Sequence, residues 1–181
     1  MFDAIVLAGA SSRRLDGADK ALVEIGGRTL LDLVVAAAEG AERVIVAGPR
    51  REIAGEVTWV QEQPPGGGPV AGLAAALAEV AADWVLVLAT DLPRVAAAVP
   101  QLLTAAAHAD VAVLERDGRR NHLAAVWRTA TLRGALDRLP AVADAAMRAL
   151  FDAVAVEEVA DTEGWGVDVD TWADLEELRR G

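Results

Sequence analysis

The 181-residue sequence contains no cysteine and few aromatic residues. The absence of cysteine excludes a disulfide-stapled scaffold, a thiolate metal site and a cysteine nucleophile. No apolar run is long enough to span a membrane, and the first one, residues 4–7, is also too short for a signal peptide. We therefore expect a cytoplasmic protein without a membrane partner.

The sequence also has an excess of acidic over basic residues, which gives a net charge of −11. An acidic surface repels nucleic acid, so we expect no nucleic-acid partner. It also repels nucleotides, so a nucleotide site in this chain requires local basic residues or a divalent cation. The chain is 54% hydrophobic and has the length of one domain, which we expect to cover residues 1–181.

Predicted strands and helices alternate along the chain. Apolar runs predict strands at residues 4–7, 43–47, 57–60, 84–88, 110–114 and 122–126. Amphipathic periodicity predicts helices at 29–39, 69–82, 95–107, 131–139 and 171–179. This order indicates an α/β, Rossmann-like three-layer sandwich with a mostly parallel sheet. Ligands of such sheets bind at the carboxyl ends of the strands.

The segment 7–20, which follows the first predicted strand, combines small residues with two arginines and one lysine. Small residues let backbone N–H groups approach an anion, and the cations neutralise phosphate charge. The segment is not a Walker loop, because Lys20 is neither preceded by glycine nor followed by Ser or Thr. It is not a dinucleotide fingerprint, because only Gly9 and Gly17 are present. It therefore predicts a site for a nucleoside triphosphate.

This segment resembles the motif Leu-Ala-Gly-Gly-x-x-x-Arg-x-Gly-x-x-Asp-Lys of the nucleotidyltransferase family that includes the molybdenum cofactor guanylyltransferases. The chain departs from the motif at Ala10 and Asp16. The resemblance implies a nucleotide-diphospho-sugar-transferase type of fold. It implies catalytic roles for Lys20, Arg14 and Asp91. It also implies that the nucleotide contacts Leu7, Ala8, Gly9, Ala10, Ser11, Ser12, Lys20, Gly68 and Asp91. Glu62, which follows the strand predicted at 57–60, is a further candidate for contact with the base or ribose, with a solvated side chain as the alternative.

Asp91 follows the fully apolar strand predicted at 84–88 and precedes Leu92-Pro93. Carboxylate oxygens are preferred ligands of Mg²⁺, so Asp91 is a candidate metal ligand, with capping of the next helix as the alternative. The family carries a Mg²⁺-binding aspartate in this setting. Asp170 is a candidate second ligand by resemblance of residues 166–175 to a family segment, again with helix capping as the alternative.

The glycine-rich turn 66–73 resembles a family segment that helps to form the base pocket, and the alternative is a tight turn without a binding role. Residues 117–122 predict first a hairpin turn, because Asp-Gly precedes a strand. In the family a similar segment lines the acceptor side. The resemblance therefore makes Arg119, His122 and Asp170 candidates for contact with the acceptor.

The resemblance implies an enzyme that transfers GMP from GTP to the phosphate of molybdopterin, with Mg²⁺ as cofactor and pyrophosphate as product. Proteins of molybdenum cofactor synthesis, or its acceptors, are possible partners. The alternatives are cytidylyl transfer to molybdopterin, nucleotidyl transfer to phospholactate or a sugar phosphate, and nucleotide binding without turnover. A Rossmann-type oxidoreductase is disfavoured because the glycine fingerprint is absent.

Overall fold

The fold is built on a seven-stranded sheet, whose strands lie in the order β5 (Thr58–Val60), β4 (Val44–Ala47), β1 (Phe2–Leu7), β6 (Trp84–Ala89), β8 (Arg119–Arg128), β7 (Val111–Arg116) and β9 (Val156–Ala160). It is seen in a computed structural model that describes residues 1–9 and 19–180. The strands β1, β4, β5 and β6 are parallel, β8 is antiparallel to β6 and β7, and β9 is parallel to β7. The mostly parallel α/β sandwich predicted from the sequence is therefore confirmed.

A separate small hairpin pairs β2 (Glu24–Ile25) with β3 (Arg28–Thr29). The helices are α1 (Leu30–Ala37), α2 (Gly68–Leu77), α3 (Val99–Ala106), α4 (Thr129–Asp137) and α5 (Trp172–Arg180). Short 3-10 turns span Lys20–Leu22, Val95–Ala97 and Met147–Phe151.

Alternating side chains of the central strands supply two hydrophobic clusters, one on each face of the sheet. Ala4 and Val6 of β1 pack on the face covered by α1 and α3. Ile5 and Leu7 of the same strand pack on the face covered by α2 and α4. A strand that is apolar at every position is thus buried on both sides, as expected for a parallel sheet between helix layers.

Several element boundaries differ from the predictions. The helix predicted at 95–107 is divided into the 3-10 turn Val95–Ala97 and α3, because Pro100 lacks an N–H and is accommodated only in the first turn of a new helix. The strand predicted at 122–126 extends over all of β8. Its hairpin with β7 is confirmed, and Asp117 and Gly118 occupy the turn with φ values of 52° and 76°.

A third, smaller hydrophobic cluster joins segments that are distant in sequence. It contains Val23, Leu30, Val169 and Leu175, all buried. Val23 follows the turn that carries Lys20, and Val169 lies between Asp168 and Asp170. Burial of these side chains therefore holds the C-terminal segment against the region of Lys20. Within residues 1–9 and 19–180, no helix has both the length and the apolar character needed to cross a bilayer.

Candidate active site

Asp91 lies just beyond β6, at the edge where the parallel strands β1, β4 and β6 end. The Thr90 N–H donates to the Leu7 carbonyl at 3.2 Å, which ties the ends of β6 and β1 together. The Val169 N–H donates to the Asp91 carbonyl at 2.9 Å. This second bond brings the C-terminal segment to the end of β6, so Asp168 and Asp170 lie beside Asp91.

Helix α5 is capped by a neighbouring pair of residues rather than by Asp170. The Asp174 carboxylate accepts the N–H groups of Asp170 and Thr171 at 3.0 and 2.7 Å, and the Thr171 hydroxyl accepts the Asp174 N–H at 3.2 Å. This is a reciprocal capping arrangement. The side chain of Asp170 instead accepts a hydrogen bond from Lys20.

Lys20 is held between two of these carboxylates. Its Nζ lies 2.7 Å from Oδ1 of Asp170 and 3.2 Å from Oδ2 of Asp91, and its side chain is 12% exposed. Burial acts to lower the pKa of Lys20, but the hydrogen bond to Asp170 and the charge of Asp91 outweigh it, so the pKa is raised. Lys20 is therefore a fixed positive charge at neutral pH.

Asp91 has a raised pKa, mainly because its carboxylate is buried. The positive charge of Lys20 opposes this shift, and the negative charge of Asp168 adds to it. A buried carboxylate beside a second one is an environment in which bound cations stabilise the ionised form. A positive charge brought into the site therefore stabilises the ionised form of Asp91.

Three carboxylates meet at this point and form a group that could hold a divalent cation. One oxygen from each of Asp91, Asp168 and Asp170 lies within 4.8 Å of the others. Hard cations such as Mg²⁺ favour such an oxygen donor set, so the residues present fit the metal. The sequence predictions identified Asp91 and Asp170 but missed Asp168. Asp168 could have been predicted from the alternation around Val169, because burial of Val169 directs both flanking aspartates away from the core.

A cavity of about 570 Å³ opens beside these carboxylates, between the ends of β1 and β4 and the start of α2. Six residues predicted to contact the nucleotide line it: Leu7, Gly9, Lys20, Glu62, Gly68 and Asp91. Gly68 has a φ of 84°, a conformation that favours glycine at the first residue of α2. The walls combine apolar surface with exposed backbone, which suits a nucleoside.

Glu62 presents a carboxylate to this cavity. Its Oε1 accepts the Gly66 N–H at 2.8 Å, which fixes the side chain against the glycine-rich turn. Its Oε2 lies 3.9 Å from the position that a Cβ on Gly72 would take. One carboxylate oxygen of Glu62 is thus hydrogen-bonded to the turn, and the Glu62 side chain also lines the cavity.

Ala8, also predicted to contact the nucleotide, makes its backbone bonds within the protein. Its N–H donates to the Ala47 carbonyl at 2.8 Å, and its carbonyl accepts from Arg51 at 2.8 Å. The predicted nucleotide ligands Ala10, Ser11 and Ser12 and the predicted catalytic Arg14 lie outside the described residues.

A second cavity, of about 680 Å³, lies on the other side of Asp91. Its lining includes Arg116, Arg119, Arg120 and His122 of the β7–β8 hairpin. Carboxylates also line it, from Asp91, Glu115, Asp117, Asp161 and Asp168. Arg119 and His122, the predicted acceptor contacts, thus line one cavity, whereas the Asp170 side chain lies with Lys20. Asp91 and Leu123 line both cavities.

His122 lies in this second cavity with its ring against Phe151, at 4.7 Å between ring centroids. Burial lowers the pKa of His122, and the charges of Arg120 and Arg148 lower it further. The imidazole is therefore neutral at pH 7. In this cavity the arginines supply the positive charge, and His122 is a neutral hydrogen-bonding group.

Comparison with known proteins identifies a family for this chain. Residues 4–159 match the model of the MobA-like NTP transferase domain. The chain is 42% identical over 105 residues to a probable molybdenum cofactor guanylyltransferase of Synechococcus elongatus, a match that spans 54% of each protein and thus about half the relative's length. It is 36% identical over 190 residues to a probable molybdenum cofactor guanylyltransferase of Mycolicibacterium paratuberculosis, covering 96% of this chain and 93% of the relative.

Solved structures also share the fold of this chain. A nucleotidyl transferase from Methanothermobacter is 22% identical, with a TM-score of 0.82, and the match covers 99% of this chain and 96% of the other. This likeness concerns the fold. The family match covers most of the chain, and the Mycolicibacterium relative is similar over nearly its whole length. The chain therefore belongs to the family of MobA-like NTP transferase domains.

Proposed function

We propose that the protein transfers GMP from GTP to the phosphate of molybdopterin and releases pyrophosphate. The observation that carries the proposal is the position of Asp91, which lines both the cavity beside the glycine-rich turn and the cavity beside the β7–β8 hairpin. A transferase needs a nucleotide and an acceptor on opposite sides of one reacting centre. The names of relatives along the whole chain support guanylyl transfer to the molybdenum cofactor.

In this mechanism an oxygen of the acceptor phosphate attacks the α-phosphorus of GTP. The bond from the α-phosphorus to the bridging oxygen of the β-phosphate breaks, and pyrophosphate leaves with the bonding electrons. A phosphate monoester is already anionic at neutral pH, so no protein nucleophile is needed. Catalysis then consists of positioning and charge stabilisation.

The residues that stabilise charge in this reaction lie in three parts of the site. Lys20 carries a fixed positive charge at the nucleotide cavity, where it neutralises phosphate oxygens and the leaving group. Asp91, Asp168 and Asp170 would hold Mg²⁺, which supplies positive charge to the α-phosphate when bound. On the acceptor side, Arg116 and Arg119 offer positive groups to the anionic molybdopterin phosphate, while Arg120 is ion-paired with Glu158 at 2.6 Å.

Glu62 is our candidate for recognition of the base. A carboxylate accepts the N1–H and 2-amino groups of guanine, whereas cytosine offers a different donor pattern. We expect Glu62→Gln to weaken GTP binding by about 10- to 100-fold, because an amide nitrogen would then face base N–H groups. Calorimetric titration with GTP measures the effect. Glu56→Gln, at an exposed glutamate on the segment before β5, is the matched control and should bind GTP as the wild type does.

Thermal unfolding with GTP, CTP, ATP and UTP, each with and without Mg²⁺, tests the proposed function as a whole. A ligand present at about 100 times its dissociation constant adds about 2.7 kcal/mol of stability. We expect GTP with Mg²⁺ to raise the unfolding midpoint most. Pyrophosphate release in the presence of molybdopterin would then establish the reaction. A preference for CTP would indicate cytidylyl transfer instead, and the absence of any shift would contradict nucleotide binding by the isolated chain.

A further inference from the structure

Arg51 joins two segments that border the nucleotide cavity. It follows β4, and its side chain is only 6% exposed. Its Nε donates to Oδ2 of Asp19 at 2.6 Å. Its Nη1 donates to the carbonyls of Ala8 at 2.8 Å and Pro49 at 3.1 Å. One guanidinium therefore connects the exit of β1 with the residue that precedes Lys20.

The contact with Asp19 bears on Lys20 through a short turn. Asp19 is the N-cap of the 3-10 turn Lys20–Leu22, and its Oδ1 accepts the Ala21 N–H at 3.2 Å. The other carboxylate oxygen is the one held by Arg51. A shift of Asp19 would therefore move the whole turn and with it the Lys20 ammonium. Arg51 acts on Lys20 without touching it.

The contact with Ala8 fixes the opposite side of the cavity. Ala8 is already bonded to β4 through its N–H and the Ala47 carbonyl, at 2.8 Å. Its carbonyl packs so closely on Gly48 that a Cβ there would lie 2.4 Å from the oxygen. Arg51 supplies the hydrogen bond that this carbonyl accepts. The next residue, Gly9, lines the nucleotide cavity together with Lys20.

We propose that Arg51 is a positioning residue that sets the distance between the Ala8–Gly9 backbone and Lys20, and thereby aligns the triphosphate of the bound nucleotide. The proposal rests on the proposed nucleotidyl transfer. Arginine suits this place because its planar fork satisfies a carboxylate and a carbonyl at once. A lysine ammonium carries the charge but lacks that fixed geometry.

The first test is the kinetics of Arg51→Ala with GTP, Mg²⁺ and molybdopterin. We expect kcat to fall by about 10- to 100-fold, because misplacement of a catalytic group by about 1 Å has effects of this size. The KM for molybdopterin should stay near the wild-type value, because that cavity lies on the other side of Asp91. Arg51→Lys should recover part of kcat. Arg50→Ala, at the exposed neighbouring arginine, is the matched control with unchanged kinetics.

A second variant keeps the proposal testable if Arg51→Ala folds poorly. Asp19→Asn retains an oxygen for the Ala21 N–H but loses the ion pair with Arg51. Asp19→Asn should also lower kcat. The double variant Asp19→Asn/Arg51→Ala should be no slower than Arg51→Ala alone, because both changes break the same ion pair. Additive losses, or equal kcat for Arg51→Ala and Arg50→Ala, would refute the positioning role and leave guanylyl transfer intact. A wild-type protein that neither binds GTP nor releases pyrophosphate would refute the transfer and, with it, this role.

Discussion

Asp91→Asn should lower the rate of nucleotidyl transfer by about 1000-fold, because the substitution removes a negatively charged oxygen from the point where the two cavities meet. The variant should remain folded. The pKa of Asp91 is raised in the folded protein, so at neutral pH folding disfavours its ionised form. The amide that replaces the carboxylate is uncharged, so the variant avoids the free-energy cost of burying an ionised carboxylate, a cost that the wild type bears at pH values above the unfolded-state pKa of Asp91. The unfolding midpoint at pH 7 without metal should therefore equal or exceed that of the wild type.

Two measurements separate a catalytic effect from a general loss of structure. Asp137→Asn, at an exposed aspartate at the end of α4, is the matched control and should leave both turnover and the unfolding midpoint unchanged. Stabilisation by Mg²⁺ should decrease in Asp91→Asn and persist in the control. Near-normal pyrophosphate release by Asp91→Asn would remove this carboxylate from the mechanism. A lower unfolding midpoint would instead show that Asp91 has a structural role.

The central strands and the residues at their ends could be predicted because the signals are local. An apolar run such as β6 indicates a buried parallel strand without knowledge of its neighbours, and Asp91 follows it directly. The β7–β8 hairpin is indicated by Asp117 and Gly118 in the same way. The strand β9 was not predicted because it lies at the edge of the sheet beside β7, where its residues are mostly exposed and form no apolar run.

The missed parts of the site depend on contacts between distant residues. The alternation around Val169 indicates that Asp168 and Asp170 point to the same side of the chain. Asp168 reaches Asp91, however, because Val169 is buried in one cluster with Val23 and Leu30, which are distant in sequence. Arg51 and Asp19 are 32 positions apart. The contact between Arg51 and Asp19 can be predicted only when β1 and β4 are known to be neighbouring strands, because their pairing brings together the loops that follow them.

Lys20→Met should change two properties in opposite directions. Lys20 is the only lysine in the sequence, and its ammonium lies between Asp91 and Asp170. Its removal should lower turnover by about 100- to 1000-fold, because the charge that neutralises the phosphates is lost. The same change removes the ammonium that pairs with Asp91 and Asp170, so binding of Mn²⁺ in the absence of nucleotide should tighten by about 10-fold. Calorimetry with Mn²⁺ and pyrophosphate release measure the two effects.

Stability provides the third readout for this lysine. The pKa of Lys20 is raised on folding, so its ion pairs stabilise the protein below the unfolded-state pKa and cease to do so as pH rises through the folded-state pKa. At pH 7 the Lys20→Met variant should therefore unfold at a lower temperature than the wild type, and Mn²⁺ should restore more of its stability. Lys20→Arg keeps the charge and should retain stability while losing turnover, because a planar guanidinium does not reproduce the contacts of an ammonium. Weaker Mn²⁺ binding by Lys20→Met would show that Lys20 helps to hold the metal rather than competing for the carboxylates.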